Sequence, residues 1–517
     1  MRSLLLVVAA GVVLTGCGGG GGGGGASTLP AVNNSQSAGS HASPSPSPSP
    51  KTSASSAASP PPASTPKASA TPRASATPSP TAAPAGGTAP SHIPTWAYDE
   101  TGGEGSGASA LLVQNYLTYA EGSEGNDKAQ SDCDGAGPSP CSSVFYFDPN
   151  FIYDAPSCTT RIAALFMAAA SESWFVHETG YSDAAHRVRG SYQGSCNGSA
   201  ITTPVYLTDQ LNPAVDAFFT SYMQTYANNW DRYFMDDTSA SVLTQAYGPG
   251  GGFCGNNPPD DYCTSTQEYP TDASVVTAHM ALFAALNRTN GASMTGFFNG
   301  IGFTQAEYNL NLVSASNGRA LGAACEECVV NAGTLEYTNY PRVLDAMATA
   351  NATTGASFVE LSTGYSPAGS AAQIGQRLVT TAMAWLGFNG SSPIVFPNLE
   401  DNTGDLAIWP EDGLYPERPL QSMNAGASDI AVASNVWRRE FAACFLNGSP
   451  IGPCAAVVNG TASPATIASS WLTQTYGHVV TLVGGDIESG GSVALAQTAF
   501  TANATEVPAA GAVLLVR

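Results

Sequence analysis

In "DRYFMDDTSA", residues 231–240, two adjacent carboxylates, Asp236 and Asp237, follow the apolar run Tyr233-Phe234-Met235, in a chain of 517 residues that is only 11% charged. A carboxyl group at the end of a buried strand suits acid–base or nucleophilic work, because burial and neighbouring charges set which protonation state it holds. Other apolar runs end in similar groups: Asp148, His177-Glu178, Asn299, Glu336, Glu360 and Asn398-Glu400-Asp401. Aromatic residues such as Tyr146, Trp174, Tyr181, Phe297, Phe298, Tyr337, Tyr365 and Trp409 stand near them and offer faces for sugar rings. This equipment fits hydrolysis of a glycosidic bond. One carboxyl group protonates the leaving oxygen and a carboxylate attacks or activates water, with no metal and no cofactor required.

Other hydrolytic chemistries lack their residues. Beyond residue 90 the histidines are His92, His177, His186, His279 and His478, with no HExxH or paired spacing for a catalytic metal. "GASMTG" and "GSSPIV" do not supply the G-x-S-x-G elbow of a serine hydrolase. Cys325-Glu326-Glu327-Cys328 has no second cysteine or histidine pair to complete a zinc site. A lyase would need a base beside a cation that neutralises a uronate, and Lys128 is the sole lysine past the linker.

The elements that must position these groups recur along the chain. Short runs rich in β-branched and aromatic residues lie at 95–98, 144–148, 174–178, 233–237, 295–299, 329–336, 357–361 and 394–398. Between them stand stretches such as "NPAVDAFFTSYMQTYANN" and "IGQRLVTTAMAWLGF", with apolar residues three and four apart. Strand then helix, eight times over, predicts an α/β fold with a parallel sheet closed as a (β/α)8 TIM-type barrel over residues 92–429. An open doubly wound sheet would carry a glycine-rich phosphate loop after its first strand, and none is present. From residue 430 to 517 short strand-like runs joined by Gly, Ser, Asn and Pro predict a small all-β sandwich.

"VFYFDPNFIYDAP", "LNPAV", "DRYFMDDTSA", "GFFNGIG" and "AGTLEYTN" resemble landmarks of the hypothetical glycosyl-hydrolase-like barrel families, over roughly residues 93–517. The tail is similar to the sandwich that follows such barrels, departing by an insertion with Cys444 and Cys454 and by Gly460 where proline is usual. The resemblance implies that Asp236 is the nucleophile or base and Glu336 the general acid. Side chains alternate along a strand, so only one of Asp236 and Asp237 faces inward; pleat alternation with Phe234 selects Asp236 and leaves Asp237 to cap the next helix. Asp237 and Glu360 are the alternative catalytic acids. Asp148, His177, Glu178, Asn299, Tyr337 and Asn398 are the candidate substrate-binding residues, and Arg438-Arg439 are expected to tie the sandwich to the barrel.

The N-terminus addresses the compartment. Met1-Arg2, the apolar run Leu4–Leu14 and "VLTGC" form a secretory signal over residues 1–17, which resembles a lipobox with Cys17 as the lipidated residue. Residues 18–91 are Gly, Ser, Pro, Ala and Thr-rich without Asp or Glu, a composition that cannot offset its ordering entropy and predicts a disordered tether. The chain is therefore expected outside the cytoplasm, anchored to a bacterial cell membrane or outer membrane by lipid alone. Past residue 90 the charge is 13 − 39 = −26, since Arg2, Lys51, Lys67 and Arg73 take 4 of the 17 basic residues. Such a surface repels phosphate backbones, so the expected partner is a polysaccharide or oligosaccharide and not a nucleic acid. The ten cysteines after Cys17 predict five local disulfides: Cys133–Cys141, Cys158–Cys196, Cys254–Cys263, Cys325–Cys328 and Cys444–Cys454.

Overall fold

A computed structural model describes residues 6–7, 13–14, 95–98, 119–122, 133, 141–154, 160–178, 180–196, 199–236, 238, 272–299, 316, 318–326, 328–331, 333–352, 357–362, 369–390, 394–397, 409–482 and 495–517. From residue 95 the strands of the first half are β1 (Thr95–Tyr98), β2 (Tyr119–Gly122), β3 (Ser142–Phe147), β4 (Phe151–Tyr153), β5 (Arg189–Cys196), β6 (Ser199–Leu207), β7 (Arg232–Met235), β8 (Gly296–Asn299), β9 (Ala320–Glu326), β10 (Val330–Asn331), β11 (Thr334–Leu335), β12 (Ser357–Leu361) and β13 (Ile394–Pro397). Eight of them pair in parallel in the order β8-β9-β12-β13-β1-β2-β3-β7, and β7 returns to β8, so the sheet closes on itself. The described helices are α1 (Arg161–Ala169), α2 (Pro213–Tyr226), α3 (Asp272–Ala285), α4 (Tyr340–Ala352) and α5 (Ala371–Gly387). The protein is thus mixed α/β.

Two of the eight ring strands differ from the sequence expectation. The second is Tyr119–Gly122 and the sixth is Ala320–Glu326, whereas 174–178 and 329–336 lie outside the ring. "ALGAACE" has little intrinsic strand preference, but its small residues admit close neighbours. A Cβ at Gly322 would collide with the carbonyl of Ser357 on the adjoining strand. The more β-prone "WFVHE" instead forms a turn at 172–174 and bridges Phe175 to Thr208 and His177 to Arg187 at the edge of an inserted antiparallel sheet, β4-β6-β5. Residues 330–335 make a two-stranded hairpin, β10-β11.

Strand alternation divides the ring's side chains into two sets. Trp96, Val144, Phe234, Phe297, Ala324, Val359 and Leu361 form one buried cluster, with Tyr146 against it. The intervening residues Phe145, Phe147, Tyr233, Met235, Phe298, Ala323 and Phe358 join the larger core shared with the helices. The first set is the interior of the ring. Trp96 meets the edges of Phe234 and Phe297 at centroid distances of 5.6 and 5.2 Å, filling it with aromatic rings.

The second half is a seven-stranded antiparallel sheet of β14 (Leu414–Pro419), β15 (Ala431–Ala433), β16 (Val436–Leu446), β17 (Ser449–Asn459), β19 (His478–Thr481), β20 (Ala496–Ala499) and β22 (Ala512–Val516), with a separate pair of β18 (Ala465–Thr466) and β21 (Glu506–Val507). It begins at Leu414, upstream of residue 430, because β14 pairs along β16. One face, with Phe441, Ala456, Val458 and Leu514, joins the core shared with the helices; Ala455, Val457, Val513 and Leu515 pack with Ile467 and Val507 on the other. Arg439 is buried and donates from Nη1 to the carbonyls of Leu386 and Phe388, where α5 ends, at 2.6 Å each, and from Nε to Gln421 O at 3.0 Å. It thereby joins this sheet to the helix layer. Arg438 pairs instead with Glu440 of its own strand. Arg377 and Glu411, both buried, form a two-pronged pair, and the Arg377 guanidinium lies 4.0 Å over the centroid of the Trp409 ring.

Cys133–Cys141, Cys325–Cys328 and Cys444–Cys454 are disulfide-bonded. The expected bonds Cys158–Cys196 and Cys254–Cys263 lie outside the described side chains, as do Cys17, Asp237 and Asn398.

Candidate functional site

The C-terminal ends of parallel ring strands are where side chains from several strands meet, and that is where Asp236 sits. It follows β7, its backbone N–H continuing the ladder to Phe147 O at 3.0 Å, and it has the strand phase of Phe234, so it belongs to the interior face. The residue is 5% exposed. Tyr146 Oη donates to Asp236 Oδ2 at 2.6 Å and Asn299 Nδ2 donates to Oδ1 at 2.8 Å. These donors come from interior positions of the strands on either side, β3 and β8. Both favour the ionised form and fix its rotamer.

Asp148 stands next to it. Phe147 and Met235 are register partners on β3 and β7, so Asp148 and Asp236 are the following pair across adjacent strands, which run about 4.8 Å apart. Asp148 Oδ1 accepts from the backbone N–H of Asn150 at 2.8 Å and of Phe151 at 3.2 Å, closing a tight turn at Pro149. Burial first, and the negative charge of Asp236 second, hold the Asp148 carboxyl well above its usual range, against the pull of those two N–H donors.

Asn150, buried, links the turn to its surroundings. Its Nδ2 donates to the carbonyl of Asp236 at 3.2 Å, while its Oδ1 accepts from Gln210 Nε2 at 2.6 Å and lies 3.1 Å from His279 Nε2, which must donate to it. Burial pushes His279 down to about 3, so the ring is neutral. Lower in the interior, Glu121 is fully buried and accepts from Trp96 Nε1 at 2.7 Å.

The remaining residues singled out in the sequence fall elsewhere. Glu360 is buried, but it alternates with the interior residues Val359 and Leu361 and therefore faces the helix layer with Phe358. There it accepts from Val329 N at 3.0 Å and from Ser362 Oγ, securing the loop after the Cys325–Cys328 disulfide. The pleat thus turns this alternative catalytic acid away from the interior face that carries Asp236. Glu336 lies beyond the hairpin, half-buried, at the start of a turn over residues 337–339; its N–H donates to Val329 O at 2.9 Å. Tyr337 lies in that turn with its carbonyl near the Trp437 ring, and a Cβ at Gly460 would crowd both. His177 is buried on the inserted sheet, where its Nε2 lies 2.9 Å from Glu172 Oε1; Glu172 also takes two bonds from Arg187. Arg187 is the main reason the Glu172 carboxyl is lowered. Glu178 is half-buried beside it, its N–H donating to His186 O at 3.0 Å.

Glu121, Asn150, Gln210 and His279 are not among the site residues to which the sequence points. The only signal for Asn150 was its place directly after "FDP"; Glu121, in "TYAEG", had none. Among the described residues, no three of His, Cys, Asp and Glu are grouped so as to hold a metal ion.

No protein-family model matches the chain, and no curated protein does. Among solved structures, the glycoside hydrolase domain of PelA from Pseudomonas aeruginosa is similar at 11% identity over 60% of this chain and 96% of that one, with a TM-score of 0.35. A GH30 endoxylanase from Clostridium papyrosolvens C71 is similar at 11% identity over 83% and 97%, with a TM-score of 0.32. A conserved exported protein from Bacteroides fragilis is similar at 9% identity over 83% and 98%, with a TM-score of 0.38. Scores of this size decide neither fold nor activity, so a functional reading has to rest on the site's own geometry.

Proposed function

We propose that this chain is a glycoside hydrolase that cleaves O-glycosidic bonds of an extracellular polysaccharide with two carboxyl groups. The observation that carries the reading is Asp236: a buried carboxylate at the end of a ring strand, fixed by Tyr146 and Asn299 above an interior of aromatic rings. A carboxylate so held is prepared to attack an anomeric carbon or to take a proton from water. Glu336, on the turn after the hairpin, is the proposed proton donor, as the motif resemblance implies.

The same reading includes a complete (β/α)8 barrel and a C-terminal sandwich. It also includes export, with Cys17 lipidated and residues 18–91 serving as the tether that carries the site away from the membrane. The sequence composition and the "VLTGC" motif support these parts.

The test is release of reducing ends from a panel of bacterial and plant polysaccharides by the parent, Asp236→Asn and Glu336→Gln proteins. Hydrolysis by the parent that both variants lose, while keeping the parental circular dichroism, is the expected result. Hydrolysis surviving in Asp236→Asn refutes the assignment, and tight glycan binding without hydrolysis by the parent marks a carbohydrate-binding scaffold instead.

A further inference from the structure

Asp148 is a buried carboxyl group that the proposed reaction does not use. It and Asp236 end neighbouring parallel strands at the same rung, on the same face, 9% and 5% exposed. Burial first, and a second carboxyl group at the same rung of the neighbouring strand, disfavour a charge on Asp148 while Asp236 is ionised. The contacts decide which of the two keeps a proton. Asp236 receives a phenol O–H and an amide N–H, one on each oxygen. Asp148 receives both of its backbone donors on the single oxygen Oδ1. Oδ2 is the oxygen that can carry a proton without giving up a donor.

We infer that Asp148 works with its proton on, as a neutral O–H donor from Oδ2 to a substrate oxygen beside the bond that Asp236 attacks. This rests on the glycosidase reading and deepens it: Asp148 donates a hydrogen bond throughout and transfers nothing, while Asp236 carries the pair's single negative charge. The groups around the pair are consistent with that division. On β3 itself, Tyr146 is already committed to Asp236. From α3, His279 reaches Asn150 as a neutral ring and brings no positive charge. On β2, Glu121 is the register partner of Val144, two interior rungs below Asp148, and is bonded to Trp96. The consequence is an alkaline limit: when Asp148 ionises, the donor is lost and the pair repels.

The protonation is read without any substrate, from the protonated-carboxyl C=O band in the infrared spectrum of the full-length protein, titrated with pH. Asp216, pushed up to about 7 by burial and then by Asp209, contributes to the same band, so the parent-minus-Asp148→Asn difference isolates Asp148. The expected result is a band at pH 7 that Asp148→Asn lacks. In Asp236→Asn its titration moves to lower pH, because the neighbouring charge is gone. A difference spectrum that titrates in the ordinary aspartate range, near pH ~4, overturns the inference; so does a midpoint that Asp236→Asn leaves in place. On a hydrolysed glycan, Asp148→Ala is expected to lower kcat/KM by about 5- to 150-fold, the range for a lost hydrogen bond. Asp148→Asn, still a donor, recovers part of that loss and removes the alkaline limb; equal losses in both variants with the limb unchanged refute the donor role. Should the band be present while the parent hydrolyses no glycan, the glycosidase reading fails and the proton on Asp148 stands.

Discussion

Glu440→Gln tests how the C-terminal sheet is held, and its effect can be worked from the contacts. Glu440 is fully buried on β16, and its carboxylate accepts from Arg438 Nη1 at 2.7 Å, Thr473 Oγ1 at 2.7 Å, Tyr476 Oη at 2.9 Å and the backbone N–H groups of Thr473 and Gln474 at 2.9 and 3.1 Å. Burial alone would raise this acid; the donors, led by Thr473 and Tyr476, outweigh it and leave the carboxyl below its usual value. A glutamine keeps the shape but turns an amide N–H₂ toward groups that are themselves donors. Removing one partner from a buried ionic cluster costs about 3–5 kcal/mol, and with a urea slope of ~2–3 kcal/mol/M the midpoint at pH 7 drops by about 1–2.5 M. The sign with pH comes from the lowered value. Stability from the ionised group is present above the unfolded-state pKa, near ~4.3, and is lost as pH falls through the folded one, whereas glutamine does not titrate. Urea unfolding followed by tryptophan fluorescence from pH 7 down to pH ~3 should therefore show a gap between parent and variant that is widest at neutral pH and closes in acid. Equal midpoints at pH 7, or a gap that stays constant into acid, would show that the ionised carboxylate does not hold this sheet.

Tyr146→Phe removes the 2.6 Å bond to Asp236 while leaving the ring in place. A hydrogen bond to a charged group is worth about 1.5–3 kcal/mol, so kcat/KM on the identified glycan should fall by about 10- to 150-fold, and a parental value would show that Asp236 does not depend on this donor. Arg439→Met strands the carbonyls of Leu386, Phe388 and Gln421. At about 1–3 kcal/mol for each buried carbonyl left without a donor, differential scanning calorimetry should show a lower Tm with the parental circular dichroism retained; an unchanged Tm would mean that the arginine does not join sheet to helix layer.

Much of the site's inventory was legible in the chain because composition and alternation are local. "DRYFMDD" reads as a buried strand with a carboxylate end, and the phase of Asp236 with Phe234 comes from the two-residue period of any strand. The pairing of Cys444 with Cys454 rests on nearness in sequence. The ring's membership was not legible in the same way. "WFVHE" has better strand residues than "ALGAACE", yet the latter takes the sixth place, because Gly322 and its small neighbours fit against Ser357 where larger side chains would clash. Tyr119–Gly122 was invisible because four residues ending in an acid and a glycine carry no periodic signal.

Residue order alone settles which groups are available: scarce carboxylates ending apolar runs, aromatic surfaces, local disulfides and an acidic chain behind a linker without acids. Which of those carboxylates meet is a property of the folded chain. Alternation along one strand says that Glu360 and Val359 face opposite ways, but the identity of the inner face depends on the strands alongside, which turn Glu360 toward the helices. Likewise, Asp148 and Asp236 are 88 residues apart in sequence and become neighbours through the pairing of β3 with β7. Whether a buried acid keeps its proton is set by the groups across that rung, and no local pattern in a sequence encodes them.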